Sequence, residues 1–240
     1  ALLGAETLVV LLPAINLSAT AVSREREDGT LDLILTTPIQ PGPYLSGKLL
    51  GLFEFLLPMI LVPPLTLALA AIYVLGNGFG VAGGVSVTEI VGTTRVEVPL
   101  ILPEGAITFG AVFVAFTAFC IMVGLQWSIR SKGTIGSTLA AVGVTLAVAG
   151  VLGLCGGAAG ASIPVVGAVM VALSPVNLLA AVVSPGWAVS GSLEDPVAAR
   201  TALLVGSAIA VSAFLAVVVG MHMTMKRSFM FTVRKLAGTN

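Results

Sequence analysis

Charged residues are scarce in this chain. Of its 240 residues only 9% are Asp, Glu, Lys or Arg, whereas 57% are hydrophobic and the mean hydropathy is +1.10. A soluble domain carries about 25% charged residues, so this composition cannot supply the surface of a water-soluble fold. The sequence therefore predicts an integral membrane protein whose main surface faces lipid.

Other absences exclude further classes of function. The formal net charge is zero, which argues against a nucleic-acid partner because such partners require a basic face. The two cysteines, Cys120 and Cys155, lie inside apolar runs, where thiols usually pack rather than bind metal or form a disulfide. The chain has one histidine, no H-E-x-x-H or G-x-S-x-G motif and no pair of intramembrane aspartates, so a membrane enzyme is disfavoured. We expect no catalytic residue, no metal site and no cofactor.

Long apolar runs are what the sequence has instead. A bilayer-spanning helix needs about 20 mostly apolar residues. Five segments meet this requirement: 2–22, 49–76, 105–129, 134–157 and 199–224. The second contains Pro58, Pro63 and Pro64, which predict a kink or a break. The predicted fold class is an all-α, polytopic helix bundle with five spanning helices and a single transmembrane domain over residues 1–240.

The distribution of basic residues predicts the orientation of these spans, because Lys and Arg favour the cytoplasmic side. If the loop after the first span is cytoplasmic, nine basic residues lie inside and only Arg95 and Arg200 lie outside. The same orientation places a tail, residues 225–240, in the cytoplasm. We therefore expect a multi-pass membrane protein with residues 23–47 and the carboxyl terminus on the cytoplasmic side.

A sixth apolar stretch, residues 161–184, is interrupted by Pro164 and Pro175. If it crossed the membrane fully, the basic residues would divide five against six. We therefore expect a re-entrant segment in the outer leaflet, broken near Ser174–Pro175 and surrounded by protein. An ordinary spanning helix is the alternative.

Two other segments carry recognisable patterns. The outer loop, residues 77–104, contains two β-prone runs separated by turn residues, which predict a small hairpin. The fourth span carries small residues four apart, such as Gly153 and Gly157. That spacing favours close helix packing in lipid, including a possible dimer face.

The stretch GPYLSGKL, residues 42–49, matches the first seven positions of the phosphate-binding pattern G-x-x-x-x-G-K-[ST]. The hydroxyl residue that would hold magnesium is replaced by Leu49, and prolines before the motif exclude the buried strand that such a loop follows. Lys48 instead stands where a helix enters the bilayer, as a basic anchor. The match therefore does not predict ATP binding by this chain.

The most polar segment of the chain, residues 23–47, lies between the first two spans. A mixed-charge run ends at Gly29, which breaks the first helix, and Thr30 can cap a new one. Beyond it Leu31, Ile34 and Leu35 share one helical face, Asp32 and Thr36 lie on another, and Pro38 ends the helix. The pattern predicts a short amphipathic helix along the membrane surface over about 30–37 that docks a cytoplasmic partner, or else a solvated interfacial helix.

The same segment resembles the signature of type-2 ABC transporter permeases, E-R-E-x-G-T-L-[ED]-x-L-L-x-[TS]-P followed by G-K. Here it stands as Glu25 to Pro38 with Gly47-Lys48. Two looser similarities are Gly124-Leu125-Gln126-Trp127-Ser128, like a G-L-x-x-S helix end, and Leu173-Ser174-Pro175, like the L-S-P of the re-entrant region. In such permeases the signature usually follows the second of six spans, so we expect an amino-terminal helix to be absent from this sequence; a split or degenerate half is the alternative.

The resemblance implies a partner and a role. The partner would be a separate cytoplasmic ATPase that binds ATP and magnesium, and two permeases with two ATPases would form an exporter in a bacterial or archaeal cell membrane. The helix at about 30–37 would be the cytoplasmic coupling helix that contacts the ATPase. The implied coupling residues are Glu25, Arg26, Glu27, Asp28, Gly29, Thr30, Leu31, Asp32, Ile34, Leu35 and Pro38.

Glu54 is an acidic residue within the second span, about 9 Å along the helix from Lys48. It is a candidate gate or path residue, because intramembrane carboxylates are often functional; an interfacial ion pair is the alternative. Competing functions are an ion-coupled secondary transporter, which usually shows several buried ionisable groups, and a non-transporting membrane anchor or signalling subunit.

Overall fold

The computed structural model describes residues 2–30, 41–76, 86–91, 94–131, 133–184 and 196–236. Its helices are α1 (Leu2–Thr20), α2 (Ser23–Glu27), α3 (Pro41–Leu75), α4 (Gly105–Arg130), α5 (Thr134–Ser162), α6 (Val166–Ala172), α7 (Pro175–Val183) and α8 (Pro196–Leu236). Its strands are β1 (Ser86–Val91) and β2 (Thr94–Pro99).

Five stretches of the described helices are long and apolar enough to cross a membrane. They are Leu2–Glu27, Gly42–Leu75, Gly105–Arg130, Thr134–Ser162 and Val197–Arg227. Four of them contain the apolar segments predicted for the first, third, fourth and fifth spans, and Gly42–Leu75 covers the second predicted segment, 49–76, to within one residue. The chain is therefore a helical, multi-pass membrane protein. Helix α8 continues beyond the apolar stretch to Leu236, so the first part of the predicted tail is helical.

Helix α3 corrects one prediction. It begins at Pro41 rather than near residue 49 and runs as one helix to Leu75, so of the kink or break predicted at Pro58, Pro63 and Pro64, the break is wrong. Proline is tolerated inside membrane helices because neighbouring helices and local adjustments satisfy the freed backbone groups. Gly110 makes room for one of these rings, since a Cβ there would lie 3.2 Å from Cβ of Pro64.

The chain packs as two compact units. Unit 1 comprises Ala1–Thr7, Ile60–Ala115 and Val148–Ala213. Its core includes the stacked rings of Phe109 and Phe113, whose centroids lie 5.5 Å apart. Unit 2 comprises Leu8–Met59, Phe116–Ala147 and Phe214–Asn240. Its core includes the ring of Phe214, which meets that of Phe116 edge-on at 5.3 Å between centroids.

The bent pair of helices α6 and α7 lies in unit 1. The two helices are bent by 116° at Ser174, which confirms the predicted position of the break. Ser174 has extended backbone angles, its hydroxyl accepts a hydrogen bond from the amide of Asn177 at 3.5 Å, and Pro175 occupies the first helical turn. Serine as N-cap followed by proline is a strong helix start, so the sequence itself dictates this bend.

The small residues of α5 pack against the bent pair. The side-chain amide of Asn177 donates to the carbonyl of Gly153 at 2.7 Å. A Cβ at Gly156 would lie 2.8 Å from the carbonyl oxygen of Met170, so only glycine permits this approach. By contrast, a Cβ at Gly143 would meet nothing within 4 Å. The close packing predicted for this helix is thus observed around Gly153 to Gly157 within unit 1.

The connection into α6 contains a strained residue. Val165 has φ 59° and ψ −58°, and the amide of Val166 donates to the carbonyl of Pro164 at 2.6 Å. These values describe a γ-turn with a positive central φ, a rare and strained conformation. A β-branched residue at positive φ is an outlier, so Val165 stores strain at this turn.

Two other features of unit 1 are a hairpin and an ion pair. Strands β1 and β2 are antiparallel, with Val91 opposite Thr94, and lie within the predicted outer loop. Arg200 of α8 donates from Nε and Nη2 to the two carboxylate oxygens of Glu104 at 2.5 and 2.7 Å. Partial burial acts to raise the pKa of Glu104, but the hydrogen bonds from Arg200 and from the backbone, together with the Arg200 charge, outweigh it and lower this pKa below its ordinary value of 4.5.

Candidate coupling site

Helix α2 carries the charged run that resembles the permease signature. It extends from Ser23 to Glu27, and Gly29, just past its carboxyl end, has φ +71°. The amide of Gly29 donates to the carbonyl of Arg26 at 3.1 Å. Glycine just past a helix end adopts this left-handed conformation without strain, so the predicted role of Gly29 as a helix breaker is confirmed.

Glu25 joins α2 to α3. Its Oε2 accepts a hydrogen bond from the hydroxyl of Tyr44 at 2.6 Å, and its Oε1 forms an ion pair with Nζ of Lys48. Lys48 also donates to the carbonyl of Ala21 at 3.3 Å. Tyr44 and Lys48 lie four residues apart and therefore share one face of α3. The anchor lysine predicted at residue 48 thus has a defined partner.

Arg26 joins α2 to the end of α4. Its guanidinium donates from Nη2 to the carbonyl of Ile129 at 3.0 Å and from Nη1 to the carbonyl of Ser131. The last carbonyls of a helix lack partners within the helix, and a cation there is favoured by the helix dipole. Arg26 therefore caps the carboxyl end of α4.

Glu27 joins α2 to the start of α5. Its Oε1 accepts a hydrogen bond from the amide of Thr134 at 2.8 Å. A Cβ at Gly133 would lie 3.4 Å from the same oxygen. A carboxylate at a helix amino end satisfies a free amide and interacts favourably with the dipole. Glu27 therefore caps the amino end of α5.

Three successive side chains thus contact three different spans. We call this arrangement the three-helix junction: Glu25, Arg26 and Glu27 with their partners on α3, α4 and α5. All of these residues belong to unit 2. The short charged run of α2 therefore holds together the ends of three spans.

The G-L-Q-W-S run of α4 reaches the same region. The hydroxyl of Ser128 accepts hydrogen bonds from the amides of Val22 and Ser23, both at 2.9 Å. One turn earlier, Gly124 lets α1 approach closely, because a Cβ there would lie 1.9 Å from Oγ of Ser18. Gly124 and Ser128 of the G-L-Q-W-S run therefore contact the segment that leads into α2, the helix with the charged run.

The other predicted coupling residues have different surroundings. Arg24 and Asp28 are exposed, and within the described residues their side chains form no hydrogen bond or ion pair. The hydroxyl of Thr30 donates back to the carbonyl of Glu25 at 3.0 Å. The remaining members of the predicted coupling helix, Leu31, Asp32, Ile34, Leu35 and Pro38, lie outside the described residues.

Two carboxylates lie within the apolar runs of the spans. Glu54 is exposed on α3 and makes no ion pair with any described residue, and its role as a gate or path residue stays a prediction. Sequence reasoning overlooked Glu6 of α1. Its Oε2 is buried and has no hydrogen-bond partner among the described residues. An acidic residue inside an apolar run marks such a position, so Glu6 was recognisable from the sequence.

Tyr44 was also overlooked as a polar partner. It lies inside the GPYLSGKL stretch, four residues before Lys48, and that spacing on a helix could have indicated a shared contact. No group of three or more His, Cys, Asp or Glu side chains in the described part of the chain is arranged to hold a metal ion. Within the three-helix junction, Glu25 binds side chains of α3, and Arg26 and Glu27 bind backbone groups at the ends of α4 and α5.

This chain matches no family model, no curated protein and no solved structure. Its function must be argued from the sequence pattern and from the geometry of the three-helix junction.

Proposed function

We propose that this chain is the permease subunit of an ATP-binding-cassette exporter, driven by a separate cytoplasmic ATPase that binds ATP and magnesium. The observation that carries the proposal is the three-helix junction. Three residues of the segment that resembles the permease signature, Glu25, Arg26 and Glu27, hold the ends of α3, α4 and α5. A displacement of the segment that follows them would therefore be passed to three spans at once.

The proposed orientation places the junction in the cytoplasm of a bacterial or archaeal cell. Nine of the eleven basic residues fall within the ranges of unit 2, and Arg95 and Arg200 fall within unit 1. The positive-inside rule then assigns the junction end of the spans to the cytoplasmic side.

A re-entrant outer segment fits this orientation. With seven and nine residues, α6 and α7 are about 10 and 14 Å long at 1.5 Å per residue. Each is much shorter than the hydrocarbon core of about 30 Å. The bend of 116° between them turns the chain back on itself, which favours a return to the entry side over a crossing.

In the proposed mechanism the ATPase binds residues 30–37 through contacts with Leu31, Asp32, Ile34 and Leu35. Two permeases and two ATPases form the working unit. Closure of the ATPase pair on ATP moves the bound segment. The junction transmits this movement to the spans, and the transport path then opens to the other side of the membrane. ATP biases the equilibrium only by its different affinity for the two states.

This mechanism separates docking from transmission. Asp32 would contact the ATPase, whereas Glu25, Arg26 and Glu27 are already bound within the chain and would transmit the movement. Glu27 is the simplest transmission residue to test, since its contact is one hydrogen bond to the amide of Thr134. Glu27→Gln keeps the shape of the side chain and removes its charge.

The experiment co-expresses the chain with the ATPase from the neighbouring reading frame and measures co-purification and ATP-dependent transport. We expect Asp32→Lys to abolish co-purification, and the matched reversal Glu97→Lys in β2 to leave it unchanged. We expect Glu27→Gln to keep co-purification but to reduce the transport per ATP hydrolysed. Wild-type co-purification of Asp32→Lys, or labelling of residues 23–30 only from outside the cell, would contradict the proposal.

An ion-coupled secondary transporter is the second candidate, favoured by the buried oxygen of Glu6 in α1. In that case transport would persist without any ATPase, would collapse when the proton or sodium gradient is dissipated, and would be lost in Glu6→Gln. Transport that requires the ATPase and survives dissipation of the gradients excludes it.

A further inference from the structure

A groove of about 850 Å³ lies between the α1–α2 segment and the first three turns of α3, entirely within unit 2. One end is apolar and is lined by Leu17, Gly51 and Leu52. The other end is polar and includes Arg24 and Asp28. A groove with one apolar and one charged end matches the shape of an amphiphile.

Two glycines of α3 leave this groove open. Gly47 and Gly51 lie four residues apart on the groove wall, and a Cβ at either position would meet nothing within 4 Å. Glycine in a helix interior costs about 1 kcal/mol relative to alanine. Here that cost is not offset by closer packing with another described residue, and what the two glycines provide is space.

The polar end carries two opposite charges, those of Arg24 and Asp28, that have no partner among the described residues. Glu25 and Lys48 bind each other, and Tyr44 binds Glu25. Arg24 and Asp28 are exposed and form no hydrogen bond or ion pair within the described residues. They are four residues apart, about 6 Å along the helix axis, so one cation and one anion stand side by side at the mouth of the groove.

The position of the groove identifies the source of its ligand. The candidate spans Leu2–Glu27 and Gly42–Leu75 both terminate beside its polar end. The apolar end therefore faces the hydrocarbon region and the polar end lies at the depth of the lipid headgroups. A ligand that fills both ends is a membrane lipid.

We propose that the groove binds a phospholipid of the phosphatidylethanolamine type. Its phosphodiester accepts hydrogen bonds from the guanidinium of Arg24, a geometry that arginine favours. Its ammonium donates to the carboxylate of Asp28, and one acyl chain lies along Leu17, Gly51 and Leu52. Phosphatidylcholine cannot make the second contact because its ammonium has no N–H, and phosphatidylglycerol has no cation to offer. The proposal does not depend on the transporter assignment.

The experiment measures which lipids the purified chain retains, without any ATPase. The chain is equilibrated in mixed micelles that contain equal amounts of phosphatidylethanolamine, phosphatidylcholine and phosphatidylglycerol with identical acyl chains, and retained lipids are counted by native mass spectrometry. We expect phosphatidylethanolamine to be enriched at least about five-fold over phosphatidylcholine, as one charge-assisted hydrogen bond would give.

Charge variants test the polar end. We expect Arg24→Gln to lower retention of phosphatidylethanolamine about five- to ten-fold, and Asp28→Asn to abolish its advantage over phosphatidylcholine. Arg227→Gln removes an exposed charge of unit 2 that does not line the groove, and we expect it to change nothing. Equal retention in Arg24→Gln, Asp28→Asn and Arg227→Gln would overturn the proposal, as would a wild-type preference for phosphatidylglycerol.

A filling variant tests the apolar end independently of charge. Gly51→Leu places a side chain in the groove, whereas Gly136→Leu places one in open space on α5. Neither substitution meets a described atom at its Cβ, so both variants should fold. We expect Gly51→Leu to lower phosphatidylethanolamine retention about ten-fold relative to Gly136→Leu. If the two variants retain equal amounts, the acyl chain does not lie in this groove and the proposal fails.

Discussion

The contact between Gly124 and α1 allows a quantitative test of the packing beneath the three-helix junction. In Gly124→Ala the new Cβ would lie 1.9 Å from Oγ of Ser18, 2.8 Å from Cβ of Ser18 and 2.9 Å from the amide nitrogen of Ala19. Optimal carbon contacts are about 3.5–4.0 Å. The hydroxyl of Ser18 is held by the carbonyls of Ala14 and Ile15 at 2.7 and 3.0 Å, so it cannot move away freely.

The expected cost follows from these distances. Because one of the three atoms belongs to the backbone, α1 must move by about 0.6 Å or more to restore contact distance, and overpacking of this kind costs about 1–3 kcal/mol. Gly→Ala also gains about 1 kcal/mol in helix propensity. Gly136→Ala shares that gain without a clash, since its Cβ would meet nothing within 4 Å. The difference between the two variants therefore isolates the packing cost.

Thermal unfolding in detergent, followed by tryptophan fluorescence, measures this difference. Trp127 lies one turn from Gly124 on α4 and reports on this region. At about 2–4 °C per kcal/mol for a chain of this size, we expect Gly124→Ala to melt about 2–12 °C below Gly136→Ala. Equal melting temperatures would refute the close approach of α1 and α4.

A double variant supplies the internal control. Ser18→Gly removes the two nearest atoms and leaves only the Ala19 nitrogen at 2.9 Å. We expect Ser18→Gly to restore more than half of the stability lost in Gly124→Ala, a coupling that a double-mutant cycle measures. Additive losses would show that Ser18 and Gly124 do not share a contact.

Two further predictions concern unit 1. Arg200→Gln should lower the free energy of unfolding by about 0.5–1 kcal/mol at neutral pH, as expected for a partly exposed ion pair. Because the pKa of Glu104 is lower in the folded chain than its ordinary 4.5, this loss should disappear as the pH falls below 4.5 and through the lowered pKa. A difference that stays constant across pH would exclude the ion pair as its cause. Val165→Gly should raise the free energy of unfolding by about 0.5–1 kcal/mol. Relief of the positive φ is worth about 1–2 kcal/mol, and the larger conformational entropy that glycine loses on folding offsets part of this gain. A lower melting temperature would contradict the strained turn.

The sequence by itself determined the features that depend on local chemistry. Apolar runs of about 20 residues placed the five spans, since lipid requires that length. Ser174–Pro175 set the break between α6 and α7, and Gly29 set the end of α2, because proline and glycine act on the backbone where they stand. The permease resemblance likewise drew attention to Glu25, Arg26 and Glu27.

Tertiary structure decided what those residues contact. The partners of Arg26 and Glu27 lie more than 100 positions away along the chain, and no local periodicity encodes which distant helix ends meet a given side chain. The prolines of α3 make a related point, since the helix continues through positions where local rules allow a break. The length of an apolar run and the chemistry of a turn are properties of one segment, whereas a hydrogen bond between segments exists only once the helices have packed. For this reason the spans were predictable from the sequence and the three-helix junction was not.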